Sequence, residues 1–264
     1  MIGVFDSGVG GLSVLSELVR LMPHQDYVYV ADTRFCPYGS KSLDLIQQRS
    51  AIITKFLIGQ GADVVVVACN TATAASVAFL REHYPIPFVG MEPAIKPAAL
   101  LSKTGVVGVL ATANTFKGSL YHHTRDTYAS GIRVVERVGE GLVELVEAGQ
   151  LQGEETDRLV GTYVNAIQQE GADVLVLGCT HYPFLKEAIR RVAGGTLQIL
   201  DPAPAIARQT QRLLHLPEHS RSQTHPSAGR LSFWTTGTSW EPLKKMADRL
   251  FPDLPDKSYH LLMR

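Results

Sequence analysis

Two cysteines occupy matching positions of an internal repeat in this chain. The sequence Gly-Ala-Asp-Val begins at Gly61 and again at Gly171, and a cysteine follows eight residues after each glycine, as Cys69 and Cys179. A short apolar run rich in β-branched residues, bounded by a glycine and polar residues, predicts a buried strand of a parallel sheet. Open α/β sheets bind ligands at the carboxyl ends of such strands. Both thiols are therefore predicted to lie where a ligand would bind.

Two thiols on either side of one ligand could invert a stereocentre. One thiolate would remove a proton from carbon and the opposite thiol would donate a proton to the other face, with the roles reversed for the other enantiomer. A helix N-terminus after each strand would favour the thiolate. Asp6, at the end of the first strand, is predicted to assist one sulfur. His181 is predicted to assist Cys179, because side chains two residues apart in an extended segment point the same way.

The residues around these thiols suit a small ligand that carries carboxylates and an ammonium. Hydroxyl and amide side chains follow the strands, and N–H groups at helix starts bind anions. A turn from Pro37 to Ser40 could hold a carboxylate through its hydroxyls and N–H groups, although a plain turn has the same composition. The candidate binding residues are Asp6, Ser7, Pro37, Tyr38, Gly39, Ser40, Cys69, Asn70, Thr71, Thr73, Cys179, Thr180 and His181.

Other interpretations of the cysteines stay open at this point. Zinc could bind to Cys69, Cys179 and His181 with Asp6 as a fourth ligand, but no C-x-x-C pair is present and no metal site is predicted. One thiol with His181 could be a nucleophile, which would leave the second thiol without a role. Both thiols could also be buried core residues. Cys36 has no counterpart in the second half and is interpreted as a small apolar spectator.

The first strand ends in a glycine-rich turn that matches part of a dinucleotide-binding motif. Glycines stand at 8, 10 and 11, but Ser13 occupies the position of the last glycine of the motif. Asp32 follows at about the ~20-residue spacing expected of a ribose-binding acid. Because the motif is incomplete, neither a nucleotide nor any other cofactor is predicted.

Composition limits the classes of function. The 264 residues carry 25 basic and 25 acidic side chains, which argues against a nucleic-acid-binding surface. No apolar run reaches the ~18 residues of a membrane span. Three cysteines, two of them at strand ends, argue against a disulfide scaffold and for a reducing cytoplasm. The predicted partner is a small molecule rather than a nucleic acid or a membrane, and a homodimer is compatible with the sequence.

The elements that must position the thiols repeat between the halves of the chain. Strands predicted at 2–5 and 106–110 are each followed about sixty residues later by a cysteine strand. This predicts an α/β protein with two pseudo-symmetric domains, mainly parallel sheets and an active site in the cleft between them. Residues 91–97 predict a crossing segment between the halves, 216–230 a mobile surface loop, and Thr238 with Glu241 a capping box before the last helix.

Four motifs together resemble the aspartate/glutamate racemase family. They are Asp-Ser-Gly-x-Gly-Gly from Asp6, Pro-Tyr-Gly from Pro37, Cys-Asn-Thr-Ala from Cys69 and Gly-Cys-Thr-His-Tyr-Pro from Gly178, and they occur in the family's order. The resemblance covers essentially the whole chain. The Thr-His-Tyr-Pro sequence after the second cysteine is similar to the glutamate enzymes of the family, so glutamate is the predicted substrate.

The resemblance implies a cofactor-independent isomerase that interconverts L- and D-glutamate and supplies D-glutamate for peptidoglycan. It implies Cys69 as the base for D-glutamate and Cys179 as the base for L-glutamate. Asp6 would support Cys69, whereas His181 and Glu147 would support Cys179.

Some points of the resemblance stay open. Glu144, one turn earlier, is the alternative to Glu147. The implied domains are 1–93 with 205–264, and 94–204. An aspartate racemase of the same fold, a cysteine-nucleophile enzyme and an amino-acid-binding protein are the alternative functions.

Overall fold

The computed structural model describes residues 1–214, 228–254 and 256–262. Most of the loop predicted at 216–230 lies outside these residues. The strands are β1 (Ile2–Asp6), β2 (Tyr27–Ala31), β3 (Val64–Val67), β4 (Phe88–Gly90), β5 (Val106–Ala111), β6 (Arg133–Val138), β7 (Val174–Gly178), β8 (Gln198–Leu200), β9 (Leu231–Thr235) and β10 (Lys257–Leu261).

The strands form two sheets with the same internal order. The first runs β10-β9-β2-β1-β3-β4 and the second β6-β5-β7-β8, and every neighbouring pair is parallel. The order β2-β1-β3-β4 recurs as β6-β5-β7-β8, which places the cysteine strands β3 and β7 at equivalent positions. The predicted duplication into two parallel α/β units is confirmed. The chain after residue 228 adds β9 and β10 to the first sheet, while the domain boundaries themselves stay a prediction.

Helices connect the strands and cover the sheets. They are α1 (Leu12–Leu21), α2 (Leu43–Gly59), α3 (Asn70–His83), α4 (Ile95–Leu101), α5 (Ala113–Lys117), α6 (Ser119–Tyr128), α7 (Leu142–Glu147), α8 (Glu154–Gln169), α9 (Lys186–Ala193), α10 (Ala203–Leu213) and α11 (Glu241–Leu250). Among the described residues, none of these helices combines the length and the apolar character needed to cross a membrane.

The cysteine strand β3 is held by burial on both faces. Its four valines are all buried, between the neighbouring strands β1 and β4 and the covering helices. Fully burying one such side chain is worth about 1.5–3 kcal/mol, which is why the apolar run fixes the strand so firmly. β7 is buried along its whole length in the same way. The residues that follow these strands are therefore anchored by rigid backbone.

The segment predicted to cross at 91–97 lies between β4 of the first sheet and β5 of the second, and it contains the start of α4. Pro97 fits in the first turn of this helix, where its missing N–H leaves no bond unmade. Two other local features differ from what the sequence predicts. Thr238 does not cap α11: the N-cap is Trp240, and the Ser239 hydroxyl accepts the N–H of Glu241 instead. The edge strand β10 was not predicted, because its sequence is largely polar and partly exposed.

Candidate active site

The carboxyl ends of the two sheets share one narrow cleft of about 260 Å³, its open mouth included. Both thiols line this cleft, Cys69 from the first sheet and Cys179 from the second. The two strand-end cysteines lie at the same cavity, as expected from their equivalent positions in the repeat. The lining residues are Ser7, Pro37, Tyr38, Gly39, Cys69, Asn70, Thr71, Thr112, Val143, Cys179, Thr180 and His181.

Cys69 is the N-cap of α3. Its Sγ accepts the N–H of Ala72 at 3.4 Å and lies 3.9 Å from the Ser7 hydroxyl. Burial raises the pKa of the Cys69 thiol, the negative charge of Asp6 raises it further, and the bonds from Ala72 and Ser7 offset this only in part. The predicted helix N-terminus is present, but burial outweighs it. Cys69 is therefore a thiol in the free protein, ready to donate a proton.

Cys179 has a different environment. The chain after β7 makes a tight turn, in which the N–H of Tyr182 donates to the Cys179 carbonyl at 3.2 Å, and the next α-helix begins only at Lys186. His181 has helical backbone angles, φ −75° and ψ −32°, so the prediction of an extended segment is wrong. The turn nevertheless brings His181 Nδ1 to 3.7 Å from Cys179 Sγ. The sulfur is supported by an imidazole rather than by a helix N-terminus.

His181 and Glu147 form a buried ion pair behind this sulfur. Nε2 of His181 lies 2.7 Å from Oε1 of Glu147. Burial alone would lower the pKa of His181, but its contacts with Cys179, Cys36 and Glu147 outweigh burial and hold that pKa well above 6.5. Burial would raise the pKa of Glu147, yet His181 brings the net pKa below 4.5. An imidazolium beside Cys179 stabilises negative charge on its sulfur.

Geometry favours Glu147 over Glu144 as the partner of His181. The Glu144 side chain is exposed, whereas Glu147 is partly buried at the end of α7. Oε1 of Glu147 also accepts the N–H of Val9 at 2.7 Å. Because Val9 follows the first strand of the chain, this one carboxylate links the two halves.

Asp6 is fully buried beneath the cleft. Its Oδ2 accepts the N–H of Gly8 and its Oδ1 accepts the hydroxyl of Thr180, each at 2.9 Å. Burial raises the pKa of the Asp6 carboxyl, and the nearby His181 opposes this in part. Asp6 thus lies close enough to influence Cys69 while it bonds to the residue that follows Cys179.

The chain that brings two thiols, a carboxylate and an imidazole together at this cleft also matches a known protein family. Residues 2–210 match the model of a family described as Asp/Glu/Hydantoin racemase. The chain belongs to this family. The match includes all four motifs in which the resemblance was found.

Relatives within the family are similar over most of their length. The glutamate racemase of Herpetosiphon aurantiacus is 51% identical over 236 residues, which cover 89% of this chain and 92% of that protein. The glutamate racemase of Ectopseudomonas mendocina is 49% identical over 237 residues, 89% of each chain. Among solved structures, Escherichia coli glutamate racemase in complex with L-glutamate and the activator UDP-MurNAc-ala has a TM-score of 0.84, with 33% identity over 99% of this chain and 97% of that one.

The glycine turn after β1 serves close packing in this family member. A Cβ on Gly8 would overlap Oε1 of Glu147, and a Cβ on Gly10 would overlap the imidazole of His181. The turn therefore brings the backbone of the first half directly against two polar side chains of the second. This contact, rather than a phosphate, accounts for the glycines that matched part of a nucleotide motif.

Asp32, the possible ribose-binding acid, is engaged inside the first half. It is fully buried and accepts two bonds from the Arg49 guanidinium, at 2.9 and 3.0 Å. It also accepts the hydroxyls of Tyr38 at 2.5 Å and Thr236 at 2.7 Å. Tyr38 therefore contributes its ring and backbone to the cleft, and the expectation that its hydroxyl is free for a ligand is wrong.

Three predicted binding residues lie outside the cleft lining, namely Asp6, which is buried beneath the cleft, Ser40 and Thr73. Ser40 is exposed, and its hydroxyl donates to the Pro37 carbonyl at 3.4 Å. Thr73 is buried, where its hydroxyl donates to the Val67 carbonyl at 3.1 Å and accepts the N–H of Met91 at 3.0 Å. Thr73 thus joins the first turn of α3 to the end of β3 and to the chain after β4.

The buried side-chain amide of Asn70 indicates that the cleft binds a polar ligand. Its side chain is buried in the cleft wall, yet within the part of the chain that the structure describes, neither its Nδ2 nor its Oδ1 has a hydrogen-bond partner. Leaving a buried polar group unpaired costs about 1–3 kcal/mol, so such groups in native proteins call for an explanation. A ligand with both donors and acceptors would satisfy this amide.

Sequence reasoning missed Thr112, which lines the cleft. Its hydroxyl lies 2.8 Å from that of Thr71 and 2.9 Å from that of Thr115. The repeat contained the signal: Thr112 follows β5 as Ser7 follows β1, so the two hydroxyls occupy equivalent places. Val143 of α7 also lines the cleft, and no sequence pattern marked it.

Cys36 lies beside the catalytic candidates rather than apart from them. Its sulfur, a carboxylate oxygen of Glu147 and a ring nitrogen of His181 lie within 4.8 Å of one another. Among the described residues this is the group whose chemistry suits a metal ion. It differs from the zinc set considered from the sequence, which paired both strand-end cysteines with His181 and Asp6.

Proposed function

We propose that this chain is an isomerase that interconverts L-glutamate and D-glutamate, with Cys69 and Cys179 as the two acid–base groups. The observation that carries the proposal is that both thiols, from equivalent strands of a duplicated fold, line one cleft. Glutamate is the proposed substrate because the relatives that are 51% and 49% identical over 89% of this chain are glutamate racemases.

Conversion of L-glutamate begins at Cys179. Its thiolate, stabilised by the imidazolium of His181 at 3.7 Å, removes the proton from Cα. The electron pair left on Cα takes a proton from the thiol of Cys69 on the opposite face. The products are D-glutamate, a Cys179 thiol and a Cys69 thiolate, so that protons and charge balance.

The reverse reaction uses the same groups with exchanged roles. The Cys69 thiolate removes the proton of D-glutamate and Cys179 returns one to the other face. Because burial and Asp6 disfavour the Cys69 thiolate, that thiolate is a strong base once formed. Asp6 lies beneath the sulfur of Cys69 and influences its pKa. The hydrogen bond from the Thr180 hydroxyl orients the Asp6 carboxylate.

Neutral donors hold the substrate in this proposal. Among the described residues that line the cleft there is no lysine or arginine. The carboxylates are bound by hydroxyls and by the N-terminus of α3, where N–H groups and the helix dipole favour anions. Asn70 gains partners for its amide. Ser7, Asn70, Thr71, Thr112 and Thr180 are the proposed contacts.

The reaction requires no cofactor, because the two thiols supply both acid and base. We further propose that the product D-glutamate serves peptidoglycan synthesis in the cytoplasm. A homodimer stays a prediction, which light scattering of the purified protein would test.

The direct test is racemisation by the purified, chelator-dialysed protein. L-glutamate should lose its circular dichroism signal completely as the racemic mixture forms, while L-aspartate at the same concentration keeps its signal. Loss of signal with aspartate alone would favour the aspartate alternative. A covalent substrate adduct on either cysteine, detected by mass spectrometry without loss of optical activity, would favour a cysteine nucleophile.

A further inference from the structure

We propose that Cys36, Glu147 and His181 form an inhibitory site for a thiophilic divalent cation of the Zn²⁺ or Cd²⁺ class. The site lies behind the catalytic thiols and uses a cysteine that the proposed function leaves without a role. Its inhibitory effect rests on the proposed function, whereas the binding of the ion does not.

The three ligand atoms already approach the geometry of a metal site. They lie within 4.8 Å of one another, and each residue offers a ligand that zinc prefers. With Zn–S of about 2.3 Å and Zn–N or Zn–O of about 2.0–2.1 Å, neighbouring ligands of a tetrahedral ion stand about 3.3–3.7 Å apart. Small side-chain movements suffice, and water completes the fourth position.

The three residues come from separate, well-anchored elements. Cys36 lies in the turn after β2, Glu147 ends α7, and His181 follows β7. The N–H of Val9 fixes Oε1 of Glu147 at 2.7 Å, and His181 is buried. Hydrogen bonds to ligating side chains orient them and strengthen metal binding. The protein therefore loses little freedom when the ion binds.

Charge also favours the ion at this place. Glu147 is ionised, and the cation replaces the positive charge of His181 beside it. Binding releases one proton from the Cys36 thiol and one from the imidazolium, as the sulfur and the nitrogen take up the metal. Burial raises the pKa of Cys36 to about 11, with His181 opposing this in part. Asp6, Tyr29, Cys179 and Glu147 are titratable groups near these two.

One ligand of the site, Glu147, lies outside the lining of the substrate cleft and is open to a second pocket. Glu147 also lines a wider surface pocket of about 1410 Å³, open solvent included, together with Val9, Leu151 and residues of α11. Coordination at Nε2 of His181, the nitrogen that faces Glu147, draws the ring toward the ion and away from Cys179. Cys179 then loses part of its support, and proton abstraction from L-glutamate becomes slower.

Binding is tested with Cd²⁺ alone, followed by the ultraviolet charge-transfer absorption of cadmium thiolate. Chelator-dialysed wild-type protein and Cys69→Ser should both show a saturable band at one equivalent. Cys36→Ser should lose the band or bind at least about tenfold more weakly. Unchanged affinity in Cys36→Ser would overturn the proposal, as would loss of binding in Cys69→Ser, which would place the ion between the catalytic thiols.

The wild-type protein alone provides a second binding test. Because two protons leave, the affinity for Cd²⁺ should rise steeply between pH 6 and pH 8, by up to about a hundredfold per pH unit. An affinity independent of pH would contradict a site that contains a thiol and an imidazolium. This measurement does not depend on whether the Cys36 variant folds.

Inhibition is tested with Zn²⁺, each protein being compared with its own metal-free rate. Cys36→Ser should need at least about tenfold more zinc than the wild type for half inhibition. Equal sensitivity of the two proteins would contradict the inhibitory role. If the metal-free wild type does not racemise glutamate, the proposed function fails, while the cadmium titration still decides the metal site.

Discussion

The two thiols of the cleft are equivalent in the repeat but not in their chemistry. Cys69 caps a helix, is buried beside the carboxyl of Asp6 and has a raised pKa. Cys179 lies in a tight turn, 3.7 Å from the imidazole of His181. We propose that this difference gives the two sulfurs different supporting groups, Asp6 for Cys69 and His181 for Cys179.

Substitution of the two supporting residues should affect the two directions unequally. Asp6→Asn should lower kcat most from D-glutamate, and His181→Asn most from L-glutamate, each by about 10²-fold, as expected for loss of acid–base support. The ratio of the two kcat/KM values must stay fixed by the equilibrium. Steady-state kinetics from both enantiomers measures this. Equal losses of kcat in both directions for both variants would contradict the assignment.

The His181–Glu147 pair should make stability depend on pH. The pKa of His181 is raised, so its stabilisation is complete below pH 6.5 and is lost as pH rises through the folded pKa, well above 6.5. The pKa of Glu147 is lowered, so its stabilisation is present above pH 4.5 and is lost as pH falls through the folded pKa. Between these limits His181→Asn should cost about 3 kcal/mol, since it leaves a partly buried carboxylate unpaired.

Urea unfolding of the wild type and of His181→Asn across the pH range measures this cost. The difference in unfolding free energy should shrink at alkaline pH. His122→Asn, which changes an exposed histidine, is the control and should leave stability unchanged at every pH. A difference that stays constant into alkaline conditions would argue against a charged His181.

The strands that carry the site could be predicted well, because each is a short apolar run whose burial can be read from its own residues. The valine run of β3 and the apolar run of β7 identify both strands, and their repeat predicts the duplication into two parallel sheets, whereas the strand order came only from the structure. Polar β10 was missed because an edge strand needs no apolar pattern. The position of Cys36 beside Glu147 and His181 was missed because it depends on long-range packing between turns. The role of Glu147 was implied by the family resemblance and not by a pattern in the residues.

The glycine turn after β1 offers a test of packing at the scale of one element. Gly10→Ala should push the imidazole of His181 away from Cys179, because the added Cβ would overlap the ring. A displacement of about 1 Å at a catalytic group can cost about 10²-fold in rate. We expect kcat/KM to fall by that order while circular dichroism shows a folded protein.

Gly59→Ala is the matched control for this substitution. Gly59 ends α2 and is exposed, and a Cβ there meets no atom within 4 Å. This variant should keep wild-type kinetics. If Gly10→Ala were as active as Gly59→Ala, the close approach of the turn to His181 would not matter for catalysis.

Polar contacts join the two halves of the molecule around the cleft. Thr180 bonds to Asp6, the N–H of Val9 donates to Glu147, and the Ser13 hydroxyl lies 2.9 Å from the Thr180 carbonyl. These contacts connect the end of β1, the turn after it and the start of α1 to the end of α7 and the residues after β7. They hold the two halves closed around the cleft and also orient Asp6 and Glu147.

Ser13→Ala should weaken this closure without touching the substrate. One lost hydrogen bond is worth about 1 kcal/mol, or about a fivefold decrease in kcat/KM. Ser16→Ala is the control, because the Ser16 hydroxyl donates to the Ser13 carbonyl within the same helix. Steady-state kinetics of both variants measures the effect. Equal kinetics for the two variants would show that the Ser13 contact plays no part in closure.

The proposed mechanism requires that Cys69 and Cys179 act as two separate bases on opposite faces of the substrate. The measurement starts with L-glutamate in D₂O and stops at low conversion, with the isotope at Cα read by mass spectrometry of each separated enantiomer. We expect the D-glutamate formed to carry solvent deuterium, while the remaining L-glutamate keeps its original hydrogen. Original hydrogen in the product, or deuterium in the unreacted substrate, would indicate a single base in place of two.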